Sequence, residues 1–463
     1  MPADDALPRS TPEAQRMSSA GITAFLDAVE AAADLELHSL MVLRHGHVVA
    51  EGWWAPYSAD EPHLLYSLSK SFTSTAAGLA AAEGLLSFDD PVVSFFPELA
   101  DAASDLRTQS MQVRHLAAMA SGHVEDTLDR ILRLDPAEPV RGFLALPPEQ
   151  QPGSVFAYNN GATYVLGAIV QRVTGQTLLG YLRPRLLDPL GIGPGYWHQH
   201  PQGRELGFSG LHLRTEDIAR FGQLYLDDGV WRGERLLPEG WVAEASALHT
   251  PNPAEPNPDW RQGYGYQFWR SRHGYRGDGA YGQFCLVVPE QDLVVVTTAQ
   301  TENMQGLADA IWAHLLPACD IPTPAQDEAL AGRLKALLLA PDGGGLVGTA
   351  LAEAEAALDV VRLEDDPAGG WSLVVAEGGC EITIGCGDGR WHFTDAAVQL
   401  GRVRLAAAAT ATATGLVVQL VFVQTPHRLV LEVDRDSPRA TGRWLTVPLH
   451  AQTFAGLATG AWI

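Results

Sequence analysis

Apolar positions along the chain follow two periods, one helical and one of strand length, and their alternation divides the chain into regions. A helical pattern over Gly21–Ala33 is followed by the runs Leu37–Leu43 and His47–Trp53 on either side of Arg44-His-Gly46. Two such runs about a glycine turn predict a β-hairpin. Next comes the Ala-rich stretch Leu64–Gly84, in which Leu68, Phe72, Ala76 and Leu79 fall on one helical stripe and predict a core-facing helix. From Asp89 to about His200 the strand signals fade. Helical segments near Val113–Ser121, Ala162–Thr174 and Thr177–Leu187 are punctuated there by Gly and Pro, and two more follow at Arg214–Asp227 and Pro238–Leu248. Strand-length runs return at Tyr264–Arg270, Gln283–Val288 and Leu293–Thr298, ahead of a helix over Leu307–Leu316. Sheet material at both ends of a mainly helical middle predicts an α+β domain over residues 21–320. In it an antiparallel sheet is flanked by helices, with a helical insert at about 89–205.

The remainder reads differently at each end. Residues 1–20 are polar and predict a flexible arm. Ile321-Pro-Thr-Pro324 and Pro341-Asp-Gly-Gly-Gly345 bracket a short helix carrying Lys335, so residues 321–345 read as a linker. Over 346–463 the texture turns to β, with strands predicted at Trp371–Ala376, Glu381–Gly385, Leu416–Gln424 and Arg428–Asp434. This predicts an independent, lipocalin-like β-rich domain that shapes or covers a cleft mouth without supplying catalytic groups. The low-complexity run Ala406–Thr414 fits either strand or loop.

Composition narrows the function classes. The 463 residues are 46% hydrophobic and 19% charged, with a formal net charge of −24, and no basic stripe could dominate that field. Nucleic acid and membranes are therefore not expected partners. No basic segment leads into an apolar run at the N-terminus, and no stretch of eighteen apolar residues occurs, which predicts a cytoplasmic location. Cys380 and Cys386 do not have a zinc-site spacing, and buried thiols are expected for all four cysteines.

Three clusters carry chemistry. Ser67 and Lys70 stand three apart where the Ala-rich helix begins, so hydroxyl and amine share a face. Lys70 is one of only two lysines among 31 basic residues. Arginine cannot give up its proton, whereas a buried lysine can be neutral near pH 7 and activate a serine. Tyr158-x-Asn160 lies on a short loop before a helix, and a tyrosine beside a lysine ammonium is expected to ionise more readily than usual. Gly277-Asp-Gly-Ala-Tyr-Gly-Gln283 has the form G-x-G-x-x-G but precedes a strand, so a dinucleotide site is not indicated. A glycine-rich strand edge that lets substrate approach the backbone fits better. A backbone N–H there would complete an oxyanion hole with that of Ser67.

Those motifs, with Tyr164-Val-Leu-Gly-Ala-Ile-Val-Gln-Arg-Val-Thr-Gly175 and Leu211-His-Leu-Arg-Thr-Glu-Asp-Ile-Ala-Arg-Phe-Gly222, resemble the serine β-lactamase-like family. That group includes class C β-lactamases, DD-peptidases, family VIII esterases and 6-aminohexanoate-dimer hydrolases. The resemblance spans about residues 20–320 and implies a β-lactamase/transpeptidase-like fold. It further implies Ser67 as the acylated nucleophile, Lys70 and Tyr158 as its proton-transfer partners, and Ala280 as the second oxyanion N–H beside that of Ser67. Asn160, Gly277, Asp278, Gly279 and Tyr281 are then expected to bind substrate. Where the family carries a lysine or histidine that holds a substrate carboxylate, this chain has Gly277, with His273 or Arg276 as possible stand-ins. A carboxylesterase or amidase acting on a small ester or amide is therefore the expectation, with no metal or organic cofactor. A D-amino-acid-type peptidase, a nylon-oligomer hydrolase or a weak β-lactamase ranks behind it. A catalytically silent ligand-binding member is the alternative of another class.

Overall fold

A computed structural model describes residues 6–321, 326–341, 355–367, 369–398, 401–437, 439–450 and 453–459. The predicted hairpin forms from Glu36–Arg44 and His47–Trp53, and starts a six-stranded antiparallel sheet. Leu293–Gln300, Gln283–Val288, Tyr275–Gly279 and Trp269–Arg270 complete it in that spatial order. Its central strands are apolar at nearly every position because both faces are covered. Met41, Leu43, Val294 and Val296 face one core, where Phe72, Ala76 and Phe221 pack. Leu40, Val42, Leu293 and Val295 face the other, against Phe25, Val29 and Leu307. Period-two alternation persists, but it sorts side chains between two cores rather than between core and water.

The helix Ser69–Ala82 is the axis of the first core. Its predicted stripe of Leu68, Phe72, Ala76 and Leu79 is buried, yet so is every residue from Ser69 to Ala80. Its hydroxyls satisfy themselves on carbonyls around it. Ser71 Oγ donates to the Gln267 carbonyl at 2.9 Å, Ser74 Oγ to that of Tyr266 at 2.7 Å and Thr73 Oγ1 to that of Gly207 at 2.8 Å. Short hydroxyl side chains can meet such carbonyls without leaving a buried orphan, so a Ser/Thr-rich helix can sit in the middle of the domain.

Two expectations need correcting. Tyr264–Arg270 is not a full strand: only Trp269–Arg270 pairs along the sheet, and Gln267 takes a positive φ of 61°. Its polar groups turn to the helical insert instead, with Gln267 N bonded to the Ala117 carbonyl at 3.0 Å and Thr163 Oγ1 to Gln267 Oε1 at 2.8 Å. Nor is the N-terminal arm loose where described. Leu7 is buried, Arg9 pairs with Glu51 and Glu216 at 2.8 Å each, and Ser18 caps the helix Ser19–Ala31.

The C-terminal β texture is an eight-stranded antiparallel sheet ordered Cys380–Asp388, Trp371–Glu377, Glu355–Asp365, Arg439–Trp444, Arg428–Asp434, Gly415–Phe422, Gly401–Ala411 and His392–Val398. Parallel pairing of Gly387 with Ala408 and Asp388 with Ala409 closes it into a barrel. The alanine run is strand: Leu405, Ala407 and Ala409 point into the barrel core, while Ala406 faces Tyr57 of the first domain. Residues 342–354, and with them the Gly-rich half of the predicted linker and the boundary near 346, lie outside the described residues, as do Pro322–Pro324. Besides that apolar cluster of Tyr57 with Ala406, Val421 and Val423, the barrel meets the first domain through polar groups. Leu64 N donates to the Gln424 carbonyl at 2.8 Å, and Arg404 and Arg428 pair with Glu61 and Glu36 at 2.8 and 2.5 Å. No helix among the described residues is long and apolar enough to cross a membrane.

Candidate active site

Ser67 sits on a single 3-10 turn, Tyr66–Leu68, that leads directly into the Ser69–Ala82 helix. One turn on, Lys70 is 1% exposed, and its Nζ lies 2.9 Å from Ser67 Oγ, 2.7 Å from Asn160 Oδ1 and 2.8 Å from the Phe208 carbonyl oxygen. Burial pulls the amine down to about pKa 7, against the opposing charges of Asp126 and Asp278. The stoichiometry suits a neutral amine. Its two N–H groups are taken by the Asn160 and Phe208 oxygens, which leaves the lone pair for the Ser67 hydroxyl.

Asn160 is held so that its oxygen, not its nitrogen, meets the lysine. Its Nδ2 donates to Asp126 Oδ2 at 2.6 Å and its backbone N–H to Asp126 Oδ1 at 2.9 Å. Next to it, Asn159 caps the helix Asn160–Thr174 by accepting from Ala162 N. The loop conformation that delivers Tyr158 and Asn160 is therefore set by a helix cap and a carboxylate.

Tyr158 lies with its ring centroid 4.8 Å from Lys70 Nζ, stacks on Trp269 at 5.5 Å, and hydrogen-bonds Ser67. The expectation that Lys70 would make this phenol easier to ionise is not met. Burial, then the Asp278 charge, push the Tyr158 hydroxyl up, so it stays protonated. The lysine, itself driven towards neutrality, lends little positive charge to offset that.

Tyr275–Gly279 packs edge-on against the Ser67 turn, and this is what its glycines are for. A Cβ on Gly279 would collide with the Leu65 carbonyl oxygen, and one on Gly277 would lie 2.6 Å from Ser71 Oγ. Gly277 and Gly279 thus admit the Ser67 turn and the helix that follows it. Ala280 follows directly on Gly279 and packs against the first core. Asp278 is buried, ion-paired to Arg276 Nε at 2.9 Å, and pushed up by burial against the pull of Arg276. Neither stand-in for the missing cation is available. Arg276 is committed to Asp278 and lies 4.2 Å from the centre of the Trp260 ring, while His273 packs on Trp312 on the opposite core. Tyr281, expected to bind substrate, is buried at the domain boundary, where its hydroxyl donates to the Val447 carbonyl at 2.6 Å.

Several groups had no signal in the sequence: Asp126, the Phe208 carbonyl, Trp269 and, from the barrel, His450. The His450 ring stands 5.7 Å from that of Phe208, and burial followed by the Lys70 charge lowers its pKa to about 4. The C-terminal domain thus brings a side chain up to the site.

Residues 26–318 match the family model described as Beta-lactamase. The chain belongs to the beta-lactamase family. This beta-lactamase-family hydrolase is 27% identical over 328 residues to 6-aminohexanoate-dimer hydrolase of Paenarthrobacter ureafaciens, covering 61% of this chain and 78% of that one. It is 29% identical over 188 residues to lovastatin esterase of Penicillium rubens, covering 36% of this chain and 47% of the esterase. Among solved structures, EstCE1, a hydrolase with promiscuous acyltransferase activity, superposes with a TM-score of 0.54 at 18% identity, covering 63% of this chain and 98% of its own. SurE does so with a TM-score of 0.52 at 20% identity, covering 93% of this chain and 99% of its own, so the likeness in fold extends across both domains.

Proposed function

We propose that this beta-lactamase-family member hydrolyses small esters and amides through an acyl-enzyme on Ser67, in the manner of a carboxylesterase or amidase. The observation that carries the reading is the 2.9 Å contact between Ser67 Oγ and an amine held near pKa 7. Ser67 Oγ attacks the carbonyl carbon as its proton passes to the Lys70 lone pair. The tetrahedral oxyanion is held by the N–H groups of Ser67 and Ala280, each such donor being worth about 3 kcal/mol. Collapse expels the alcohol or amine, which takes its proton from the Tyr158 hydroxyl as that group is resupplied by Lys70. Water then attacks the acyl-enzyme, losing its proton along the same relay, and frees the acid. Asn160 orients Lys70, and Asp126 orients Asn160.

Gly277 supplies no cation and Arg276 is spent on Asp278, which disfavours β-lactams and peptides with a free carboxylate relative to neutral esters and amides. Similarity to an amide hydrolase over most of that relative's length makes linear amides the second substrate class to test. Short p-nitrophenyl esters, linear amides and nitrocefin should be compared, and a slow ester's acyl group trapped by mass spectrometry. The expected mark is on the peptide containing Ser67 and is absent in Ser67→Ala. A mark elsewhere, or full turnover by that variant, refutes the reading.

A further inference from the structure

The two residues that flank the proposed oxyanion donors share an unusual pair of features. Tyr66, immediately before Ser67, has φ 48°, and Tyr281, immediately after Ala280, has φ 69°. Left-handed backbone at a bulky residue is costly and persists only where surrounding contacts over-determine it. Thr301 N of the first domain donates to the Tyr281 carbonyl at 3.1 Å, and the hydroxyls of both tyrosines are held by the barrel. The Tyr66 hydroxyl lies 2.5 Å from His427 Nε2, and Leu449 N approaches it at 3.4 Å, while Tyr281 Oη donates to Val447 O at 2.6 Å. The two rings stand edge to face at 5.5 Å, and each also meets the His427 imidazole edge to face, at 5.8 and 5.7 Å.

The direction of the bond can be worked out. His427 Nδ1 lies 3.1 Å from the Thr446 carbonyl oxygen, which can only accept, so Nδ1 carries the proton. Nε2 is therefore an acceptor, and Tyr66 donates to it. Burial lowers the His427 pKa to about 3, which keeps the ring neutral throughout the neutral range, with its tautomer set by the Thr446 carbonyl. The Tyr66 backbone sets the peptide plane that carries the Ser67 N–H, and Tyr281 helps form the turn after Ala280. Holding both tyrosines by their hydroxyls thus fixes the aim of both N–H groups, and small errors in aim are expensive in an oxyanion hole.

We propose that the C-terminal barrel is a clamp on the oxyanion hole, with His427, acting through Tyr66, as its positioning residue and the Tyr281–Val447 bond as its second jaw. This rests on the oxyanion hole assigned above. The test uses the full chain with Tyr66→Phe, Tyr281→Phe, His427→Leu and His427→Gln. Thermal melts establish folding, and kcat, KM and inhibition by an alkyl boronic acid are measured with one p-nitrophenyl ester. The boronate forms a tetrahedral adduct on serine whose oxygen occupies the oxyanion position.

The expected result is a kcat lowered about tenfold to a hundredfold in Tyr66→Phe and His427→Leu, with KM nearly unchanged and boronate affinity weakened by a similar factor. His427→Gln, which offers an amide oxygen to Tyr66, should recover most of the loss. Combining Tyr66→Phe with His427→Leu should add little to either alone, because both break one bond. Tyr281→Phe should show the same split if its jaw acts alike, and it reports on the clamp even if the His427 variants fail to fold. Unchanged kcat in folded Tyr66→Phe and Tyr281→Phe, or losses confined to KM, overturn the clamp. Absence of any boronate or acyl adduct on Ser67 in the unaltered protein overturns the assigned oxyanion hole and the clamp together, which separates the two failures.

Discussion

Lys70 is held where burial and neighbouring charge oppose each other, and burial prevails. A residue so enclosed would be a liability in a structural role, since an ammonium there forgoes its hydration. In the proposed proton relay its depressed basicity is an asset. Lys70→Arg keeps a cation but cannot offer a lone pair, and kcat/KM on a p-nitrophenyl ester should fall by about three orders of magnitude while the melting curve shows a folded protein. In the proposed mechanism the active form is the neutral amine, so kcat/KM should climb with pH and level off above about 7. Asp126 supports the ammonium, and Asp126→Asn should therefore shift that limb to lower pH; a limb that stays put would mean another group titrates. Ser67, Lys70, Tyr158 and Asn160 were legible because three-residue and two-residue spacings on local elements fix who meets whom. Asp126 and His450 were not, for each reaches the site through tertiary packing that leaves no mark in its own neighbourhood of sequence.

At the level of elements, the strand Tyr275–Gly279 and the turn Tyr66–Leu68 behave as one unit, because the strand's glycines let backbone touch backbone. Gly279→Ala would drive a methyl group into the Leu65 carbonyl, and the turn must move to relieve it. A displacement of even ~1 Å costs about a hundredfold in rate, so acylation of Ser67 by a fluorophosphonate should slow by at least that much. Equal labelling rates in the variant and the parent would show that the strand can yield instead. Regular elements with a clean period were read well: Gln283–Val288 and Arg428–Asp434 stand where periodicity put them. Tyr264–Arg270 was not, since its aromatic run serves ring packing and carbonyl contacts rather than a ladder. The all-round burial of Ser69–Ala82 was likewise hidden, because its hydroxyls look solvent-facing until their carbonyl partners are known.

Across the whole molecule, the boundary between the domains is lined by neutral imidazoles. Burial lowers the basicity of His38, His63 and His427, the last to about 3. In the unfolded chain such groups take up a proton near pH 6.5, so between 6.5 and the folded value the unfolded state binds more protons and stability falls as pH falls. At pH 5 His427 alone should withdraw about 2 kcal/mol. Melts at pH 7.5 and pH 5 should separate by several degrees, and the gap should narrow in His427→Gln; a flat profile would contradict the neutral assignment. The existence of a second, β-rich domain was readable from its strand periods, but its closure into a barrel and its grip on the Ser67 turn depend on pairings far apart in sequence. One of those contacts offers a natural gauge. The Leu64 amide, three residues ahead of Ser67, is bonded to the Gln424 carbonyl of the barrel. Its deuterium uptake should therefore keep time with the parting of the two domains, and a single slow amide would report how often the enzyme comes undone at its seam.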